Sequence, residues 1–500
     1  MPRNYRQRPE PPPDSNGSLE SDSGTLYPTP SVASASVDKF PESKAANTAL
    51  PKNDQSRRNT DPECITQFLQ NAYVDLYLQS IPGKGRGLRT KAPIAAGSGA
   101  ATVGDSLLRY NNVPNASVFD IAPGAPHILP TWGRALHRLI SNPAQHASMM
   151  HAAQTMPEFD ASKVPLDEVQ QYGQVVALTQ SLLPNHQQLP PRQLFTMAAK
   201  LRINSFGWAD AEQVPFGCSF LPGLALLNHD CNPNCAVVFE QRKAHLRALQ
   251  PVEAGAELTI SYIDLTLPQP WRQQELHSIY QFRCACSVCS NPQLATELQK
   301  HAFRCAQKDC TGTVPIALSE ANLLSSEMTA REVCLDCGTQ LNLASQGLQH
   351  QLRKAYTDLR AAHDLQFKDV EQARIKAQHV SEQLRRFVWP THHLQVDATQ
   401  LWQTTMLLLL NGSTPPIQAA QLALQLCHHM GQVLPPSSPI LAVQHYTAAK
   451  LILATRTTLT ADERLKVTKA MRFVQLTQGI NSPLYTSLED DLRACAMELP

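Results

Sequence analysis

Leu227-Asn228-His229-Asp230-Cys231-Asn232-Pro233-Asn234-Cys235 sets an amide, an imidazole and a thiol side by side in a turn-forming stretch. Amide and imidazole groups can fix a purine amine or an amino-acid head by hydrogen bonds, and a thiolate can bind metal. Alone, an Asn-His pair in a loop is ordinary turn chemistry. Here it stands in order with three other signals. Gly83-Lys84-Gly85-Arg86-Gly87-Leu88 lies upstream, Glu257-Leu258-Thr259-Ile260-Ser261-Tyr262 lies downstream, and Cys284-x-Cys286-x-x-Cys289 closes the series.

The glycine loop follows a segment, Tyr73 to Leu78, in which Val74, Leu76 and Leu78 alternate with polar or aromatic residues, the pattern of a half-buried strand. Glycines permit positive φ and close approach of the backbone to a ligand, and Lys84 or Arg86 could meet a carboxylate. A surface turn with solvated cations fits as well. A P-loop does not, because no Gly-Lys-Ser/Thr follows, and a dinucleotide fingerprint would need a βαβ unit. Val237 to Phe239, His245 to Leu249 and Glu257 to Ile263 read as short strands separated by turns such as Glu253-Ala254-Gly255.

Taken together, these motifs resemble the SET domain, which moves a methyl group from S-adenosylmethionine to a lysine amine. The flanking sequence resembles the SET-and-MYND (SMYD) family in particular. The resemblance implies an α+β fold whose Asn-His and tyrosine segments thread into a pseudoknot-like core, a rare departure from unknotted topology. It implies that Lys84, Gly85, Arg86 and Gly87 cup the cofactor, with Asn204, Asn228, His229, Tyr262 and Phe282 as further cofactor contacts. Tyr262 matches the catalytic tyrosine and Tyr280 a second tyrosine of the lysine channel. Read without the family, these aromatics are core residues. The family writes Ser where this chain has Asp230.

Thirteen cysteines in a chain with no apolar leader suit metal ligation or burial better than disulfides. Cys284, Cys286 and Cys289 offer three thiolates, and a tetrahedral zinc needs a fourth ligand. The resemblance supplies it from Cys231, which would staple the post-SET segment over the active site. A second set, Cys305-x4-Cys310 and Cys334-x2-Cys337, reads as a structural zinc ribbon, with Gly312 and Gly338 able to turn the backbone around the metal. Buried free thiols are the alternative for both sets. Cys64, Cys218, Cys427 and Cys495 are scattered and read as core thiols, while Cys235 belongs to neither group.

Five hundred residues exceed one compact core. Residues 1–65, rich in Pro, Ser and charge, are expected to form a disordered tail. A SET domain is expected over 66–267 with a helical insert over about 101–200, and a post-SET zinc site over 268–292. A zinc-ribbon insert over 293–345 and an all-α, tetratricopeptide-like C-terminal domain over 346–500 complete the scheme. Val169, Tyr172, Val176 and Leu183 approximate helical spacing, as do Ala373, Ala377, Val380, Leu384 and Phe387. Thr460-x-x-Glu463 is a capping box, and Gly479 a helix stop. No clean 34-residue repeat is found.

Two departures stand out. Between Gly87 and Gly207 there is no cysteine, so the MYND finger is missing. After Gly97 the chain reads Ser98-Gly99-Ala100-Ala101-Thr102 where the family has an apolar strand, which puts the cofactor pocket in question.

The leading expectation is an S-adenosylmethionine-dependent methyltransferase acting on lysines of histone or non-histone proteins, with two structural zinc ions. Protein partners are expected through the helical domain, and the compartment is cytoplasm, nucleus or both. The alternative is a non-catalytic SET scaffold that binds partners through its ribbon and helical tail. A net charge of +1 without a dense basic stripe argues against a nucleic-acid binder. No apolar run approaches the roughly 20 residues of a membrane span, and Met1-Pro2-Arg3-Asn4 opens without a secretory h-region.

Overall fold

The computed structural model describes residues 63–72, 74–103, 108–111, 129, 131–141, 147–156, 166–213, 215–240, 243–291, 295–316, 331–342, 347–410, 415, 417–455 and 459–494. The expected disordered tail lies outside these residues up to position 62. Its last residues are a correction, since Glu63–Gln70 forms helix α1 and buries Ile65 and Phe68 in the main β-rich core.

Strands β1 (Leu76–Ile81) and β2 (Gly85–Thr90) form an antiparallel hairpin. The strand therefore starts later than the alternation at Tyr73 suggested. Gly83 at φ +74° and Gly85 at φ +79° close the turn, a conformation that disfavours any side chain.

The chain then enters β3 (Gly99–Val103), which pairs with β9 (Lys243–Ala248), itself paired with β8 (Cys235–Glu240). The segment after Gly97, whose sequence departs from the family's apolar strand, is thus a strand all the same. Ala100 is fully buried there. Gly97, at φ +78°, lies so close to Leu476 that an added Cβ would come within 3.0 Å of its side chain. The missing side chain at Gly97 lets the backbone around Leu476 approach this edge.

A second sheet orders β4 (Leu108–Asn111), β6 (Pro215–Phe220) and β5 (Ser205–Ala209), with β6 in the middle. Strands therefore occupy the start of the expected helical insert. Its helices are α2 (Thr131–Ser141), α3 (Ala147–Thr155), α4 (Leu166–Leu182) and α5 (Pro191–Asn204). They share a core around Leu136, Leu139, Val176 and Leu201. Pro191 occupies the first turn of α5, where its missing N–H costs nothing.

The threading expected at the centre is present. Strand β7 (Asn228–His229) pairs in parallel with β10 (Thr259–Ile260), and Asp230 N donates to Ile260 O at 3.0 Å. On the other side, Leu258 N donates to Leu88 O at 2.8 Å. The 257–262 segment therefore runs between the glycine hairpin and the Asn-His strand and bonds to both. Asn234 secures it, since its side chain accepts from Thr259 N at 2.9 Å and donates to Glu257 O at 2.8 Å.

Helix α6 (Gln269–Tyr280) ends at Gln281, whose φ of 60° turns the chain into the cysteine segment. After α7 (Ala295–Gln299) come two hairpins, β11 (Phe303–Arg304) with β12 (Thr313–Val314) and β13 (Arg331–Val333) with β14 (Gln340–Asn342). The tail is helical throughout its described part: α8 (Leu348–Leu365), α9 (Val370–Leu384), α10 (His393–Leu408), α11 (Ile417–Val433), α12 (Pro439–Thr455), α13 (Ala461–Gln478) and α14 (Pro483–Ala494). Ala373, Ala377, Val380 and Leu384 are fully buried, as the 3.6-residue period requires. Thr460 and Glu463 complete both bonds of the capping box, and Gly479 at φ +94° stops α13. Arg247 of β9 clamps that helix end, donating to Gly97 O, to Gln475 O at 3.3 Å and to Leu476 O at 3.4 Å.

Candidate active site

The threaded segment brings most of the expected site together. Gly87 is buried against Asn228, and a Cβ there would sit 2.7 Å from Asn228 Nδ2 and 3.1 Å from Glu257 Oε1. Only glycine lets the loop close on the Asn-His strand. Asn228 Nδ2 donates to Arg86 O at 3.2 Å and to Glu257 Oε1 at 2.8 Å. Both amide protons are thereby used, which leaves Oδ1 as an acceptor for an incoming donor. Lys84 Nζ reaches Glu257 Oε2 at 3.2 Å. Glu257 was quoted in the sequence but not assigned a role. It ties the loop cation to the Asn-His strand, a link across 173 residues that no local pattern reveals.

His229 engages its ring within the protein. Its Nδ1 accepts from Tyr262 N at 3.1 Å, so the ring proton lies on Nε2, 3.4 Å from Cys231 Sγ. Burial lowers its pKa to about 4, with Arg272 and Lys84 pushing the same way and Cys286 opposing, so the imidazole is neutral. Both ring nitrogens are engaged within the protein. The side chain joins the Tyr262 backbone to the cysteine cluster.

Tyr262 donates its hydroxyl proton to Leu227 O, which leaves the oxygen lone pairs to face an electropositive group. Burial first, then the Tyr280 and Glu257 charges, raises its pKa. Tyr280 packs its ring 4.8 Å from that of Tyr262 and donates to Tyr262 O at 3.4 Å. Burial pushes its pKa up to about 12, so it too is a neutral phenol. Phe282 meets Tyr262 edge-on at 6.3 Å and His229 at 6.1 Å. Asn204 stands apart from this set, its amide turned back onto Lys200 O at 2.8 Å.

Beside these aromatics lies an apolar cavity of about 70 Å³. Phe206, Ile260 and Ile263 line one side, and Leu434 and Ile440 of the helical tail line another. The tail's share of this wall was not foreseen.

Cys231, Cys284, Cys286 and Cys289 are buried, with their sulfurs all within 4.8 Å of one another and Cys231 3.5 Å from Cys289. Four thiolates at about 2.3 Å from a tetrahedral zinc would lie about 3.8 Å apart, so the cluster fits that ion. Gln273 holds Cys284 in place, accepting from its N–H at 3.0 Å and donating to its carbonyl at 2.6 Å. Hydrogen bonds from Cys231, Cys284 and the neighbouring Cys289 hold the Cys286 thiol far below its ordinary range.

The second set, Cys305, Cys310, Cys334 and Cys337, meets the same spacing, with Cys305 3.6 Å from Cys337 and Cys310 3.7 Å from Cys334. Gly312 is obligatory there, because a Cβ would lie 2.4 Å from Cys334 Sγ. Cys235 belongs to neither set. It is a fully buried β8 residue whose thiol burial pushes up to about 12. Cys427 is likewise buried, whereas Cys495 and the side chains of Cys64 and Cys218 lie outside what is described.

Comparison with known proteins points the same way. The SET domain family profile matches residues 85–263. The Arabidopsis thaliana histone-lysine N-methyltransferase ASHR1 is 26% identical over 355 residues, covering 69% of this chain and 68% of that protein. Mouse histone-lysine N-methyltransferase SMYD3 is 33% identical over 162 residues, 31% of this chain and 38% of its own length. Zebrafish (Danio rerio) N-lysine methyltransferase SMYD2-B is 34% identical over 110 residues, 22% of this chain and 25% of its own. The matched region thus spans well under half of the two SMYD relatives.

Proposed function

We propose that this SET-domain protein of SMYD type transfers a methyl group from S-adenosylmethionine to lysine side chains of proteins. The observation that carries the reading is the threaded 257–262 segment, which joins the glycine hairpin, Asn228 and the Tyr262–Tyr280–Phe282 aromatic set in one place. The likeness to histone-lysine and N-lysine methyltransferases supports it. When bound, S-adenosylmethionine would supply an electrophilic methyl on a sulfonium. Gly87, the Lys84 ammonium and Asn228 Oδ1 would hold it, and Phe282 would pack on its adenine.

The lysine must react as a neutral amine. At a pKa of about 10.4, deprotonation near pH 7.4 costs roughly 4 kcal/mol. An amine held in the apolar cavity lined by Phe206, Ile260 and Ile263 would be favoured in its neutral form by desolvation. Tyr262, its own proton committed to Leu227, would present lone pairs toward the positive charge of the reacting centre without acting as a base.

The substrate remains at the level of protein lysines, histone or otherwise. Partner binding by the helical tail and residence in cytoplasm or nucleus belong to the proposal. Thiolate-rich metal sites suit a reducing compartment. No described helix is long and apolar enough to cross a membrane. The scaffold alternative drew on the segment after Gly97, which forms strand β3 paired with β9.

The test is cofactor binding by calorimetry, followed by methyl transfer to a protein array. Micromolar binding with transfer is expected. Binding without transfer to any protein would leave the scaffold, and no binding would overturn the proposal.

A further inference from the structure

Glu257 has no part in the chemistry described above, yet its carboxylate stands between two groups that would hold the cofactor. Its backbone is fixed from both sides. Asn234 Nδ2 donates to Glu257 O at 2.8 Å, and Leu258 N donates to Leu88 O at 2.8 Å. One carboxylate oxygen accepts from Asn228 Nδ2 at 2.8 Å and the other from Lys84 Nζ at 3.2 Å. The two ends of the ion pair differ in freedom. The Glu257 side chain is 15% exposed and packs where Gly87 has no Cβ, whereas that of Lys84 is 38% exposed on a long flexible stem. The carboxylate is anchored and the ammonium can swing.

The same bonds settle which way the Asn228 amide points. Its Nδ2 faces two groups with no proton to give, the Glu257 carboxylate and the Arg86 carbonyl. A flipped amide would set Oδ1 against both, oxygen facing oxygen. Oδ1 is therefore held as an acceptor on the opposite side of the amide. An α-amino-acid head carries one ammonium and one carboxylate. Such a zwitterion can exchange partners with the Lys84–Glu257 pair and leave no charge unpaired. Its carboxylate takes Lys84, and its ammonium takes Asn228 Oδ1 with the Glu257 charge behind it. A ligand bearing only one of these charges would leave one member of the pair without a counterion.

We propose that Glu257 is a positioning residue for the amino-acid head of the cofactor. It holds Lys84 beside the site until the cofactor carboxylate takes it, and it keeps Asn228 Oδ1 turned to the ammonium, so that the site selects zwitterionic ligands. The inference rests on the cofactor reading above, and the experiment separates the two.

The full chain is titrated by equilibrium competition with S-adenosylhomocysteine, which carries the head, and 5′-methylthioadenosine, which lacks it. Failure of the parent to bind either probe would overturn the cofactor reading and the inference together. Equal affinity for the two would overturn the inference alone, because the head would then go unrecognised. The parent should prefer S-adenosylhomocysteine. Glu257→Gln keeps an acceptor for Asn228 but offers no charge to Lys84 or to the ammonium, and should weaken S-adenosylhomocysteine binding about tenfold or more. Affinity for 5′-methylthioadenosine should be unchanged, a selectivity that a merely structural role would not give. If that variant does not fold, Glu257→Asp, too short to bridge Lys84 and Asn228, carries the test with a smaller loss of the same selectivity. Equal weakening of both probes, or no weakening of either, in whichever folded variant is measured would overturn the inference.

Discussion

The two cysteine clusters have the same ligands and nearly the same sulfur spacing, yet they are built in opposite ways. The ribbon set lies on two short hairpins close in sequence, and Cys337 is exposed. The other set draws Cys231 from beside β7 and three thiols from the segment after α6, a bond path of 58 residues. It is buried, touches His229, and through His229 holds the Tyr262 backbone. The same metal chemistry can therefore be a local fastener or a long-range strut, and what it touches decides which.

The largest expected effect tests that contrast directly. Cys286→Ser should remove one of two metal equivalents and abolish methyl transfer, because the ligand segment also carries Tyr280 and Phe282. Structural zinc can contribute about 10–16 kcal/mol in small domains, so a large loss of thermal stability should accompany it. Cys310→Ser should also remove one equivalent but leave most of the activity. Elemental analysis and a transfer assay on both variants decide the matter. Equal losses of activity would erase the distinction between strut and fastener.

Next comes Tyr262, which the strut positions. Tyr262→Phe should lower turnover by about 10²–10³, corresponding to roughly 2.7–4 kcal/mol of lost transition-state stabilisation. Cofactor affinity should change little. As a mere core residue it would instead lose one hydrogen bond worth about 1 kcal/mol and no rate. Single-turnover methylation and melting temperature on one preparation tell the two apart, and full activity with a lowered melting temperature would sink the catalytic role.

Much of this arrangement could be read from the sequence, and what escaped shares one cause. The motif order, the Cys284–Cys286–Cys289 and ribbon spacings and the capping box depend on residues near one another in the chain, where spacing carries the information, whereas Cys231 came from the family resemblance. Glu257 and the cavity wall from Leu434 and Ile440 depend on contacts across tens to hundreds of residues. Nothing in local periodicity encodes them. The 98–102 stretch failed differently: its composition departed from the family's apolar strand, yet it forms β3 paired with β9, just after Gly97, where a Cβ would meet Leu476. His229 was found by motif, while the engagement of both its nitrogens inside the protein was not.

A pH experiment sets the helical tail apart from both clusters. His445, stacked 4.6 Å from Phe473, is held neutral by burial and by the nearby Lys469 charge, its pKa lowered from 6.5 to about 4. A folded-state pKa below the unfolded one means the unfolded chain binds the proton first as pH falls. The contribution is whole above about pH 6.5 and is lost progressively down to about pH 4. His445→Phe keeps a stacking ring but cannot titrate. Urea denaturation at about pH 7 and about pH 5 should reveal a smaller pH loss in the variant than in the parent. Identical losses would mean that His445 is not held neutral.

The smallest effect belongs to a device that touches neither cluster. At the start of α13, Glu463 N donates to Thr460 Oγ1 at 3.2 Å, and Thr460 N donates to Glu463 Oε2 at 2.9 Å. Each bond satisfies a backbone donor that the first helical turn leaves open. Thr460→Ala removes the hydroxyl acceptor and should cost about 1 kcal/mol of stability. The far end of the same helix is clamped by Arg247 at Gln475 O and Leu476 O, so α13 stays seated on the sheet. Both metal equivalents and the turnover rate should therefore be unchanged. This makes Thr460→Ala the baseline for the comparison, a loss of stability with no reach into the site. If it also slowed methyl transfer or released metal from the Cys231 cluster, the tail would be a working part of that strut, and the division between local and long-range devices would fail at the interface where Arg247 joins them.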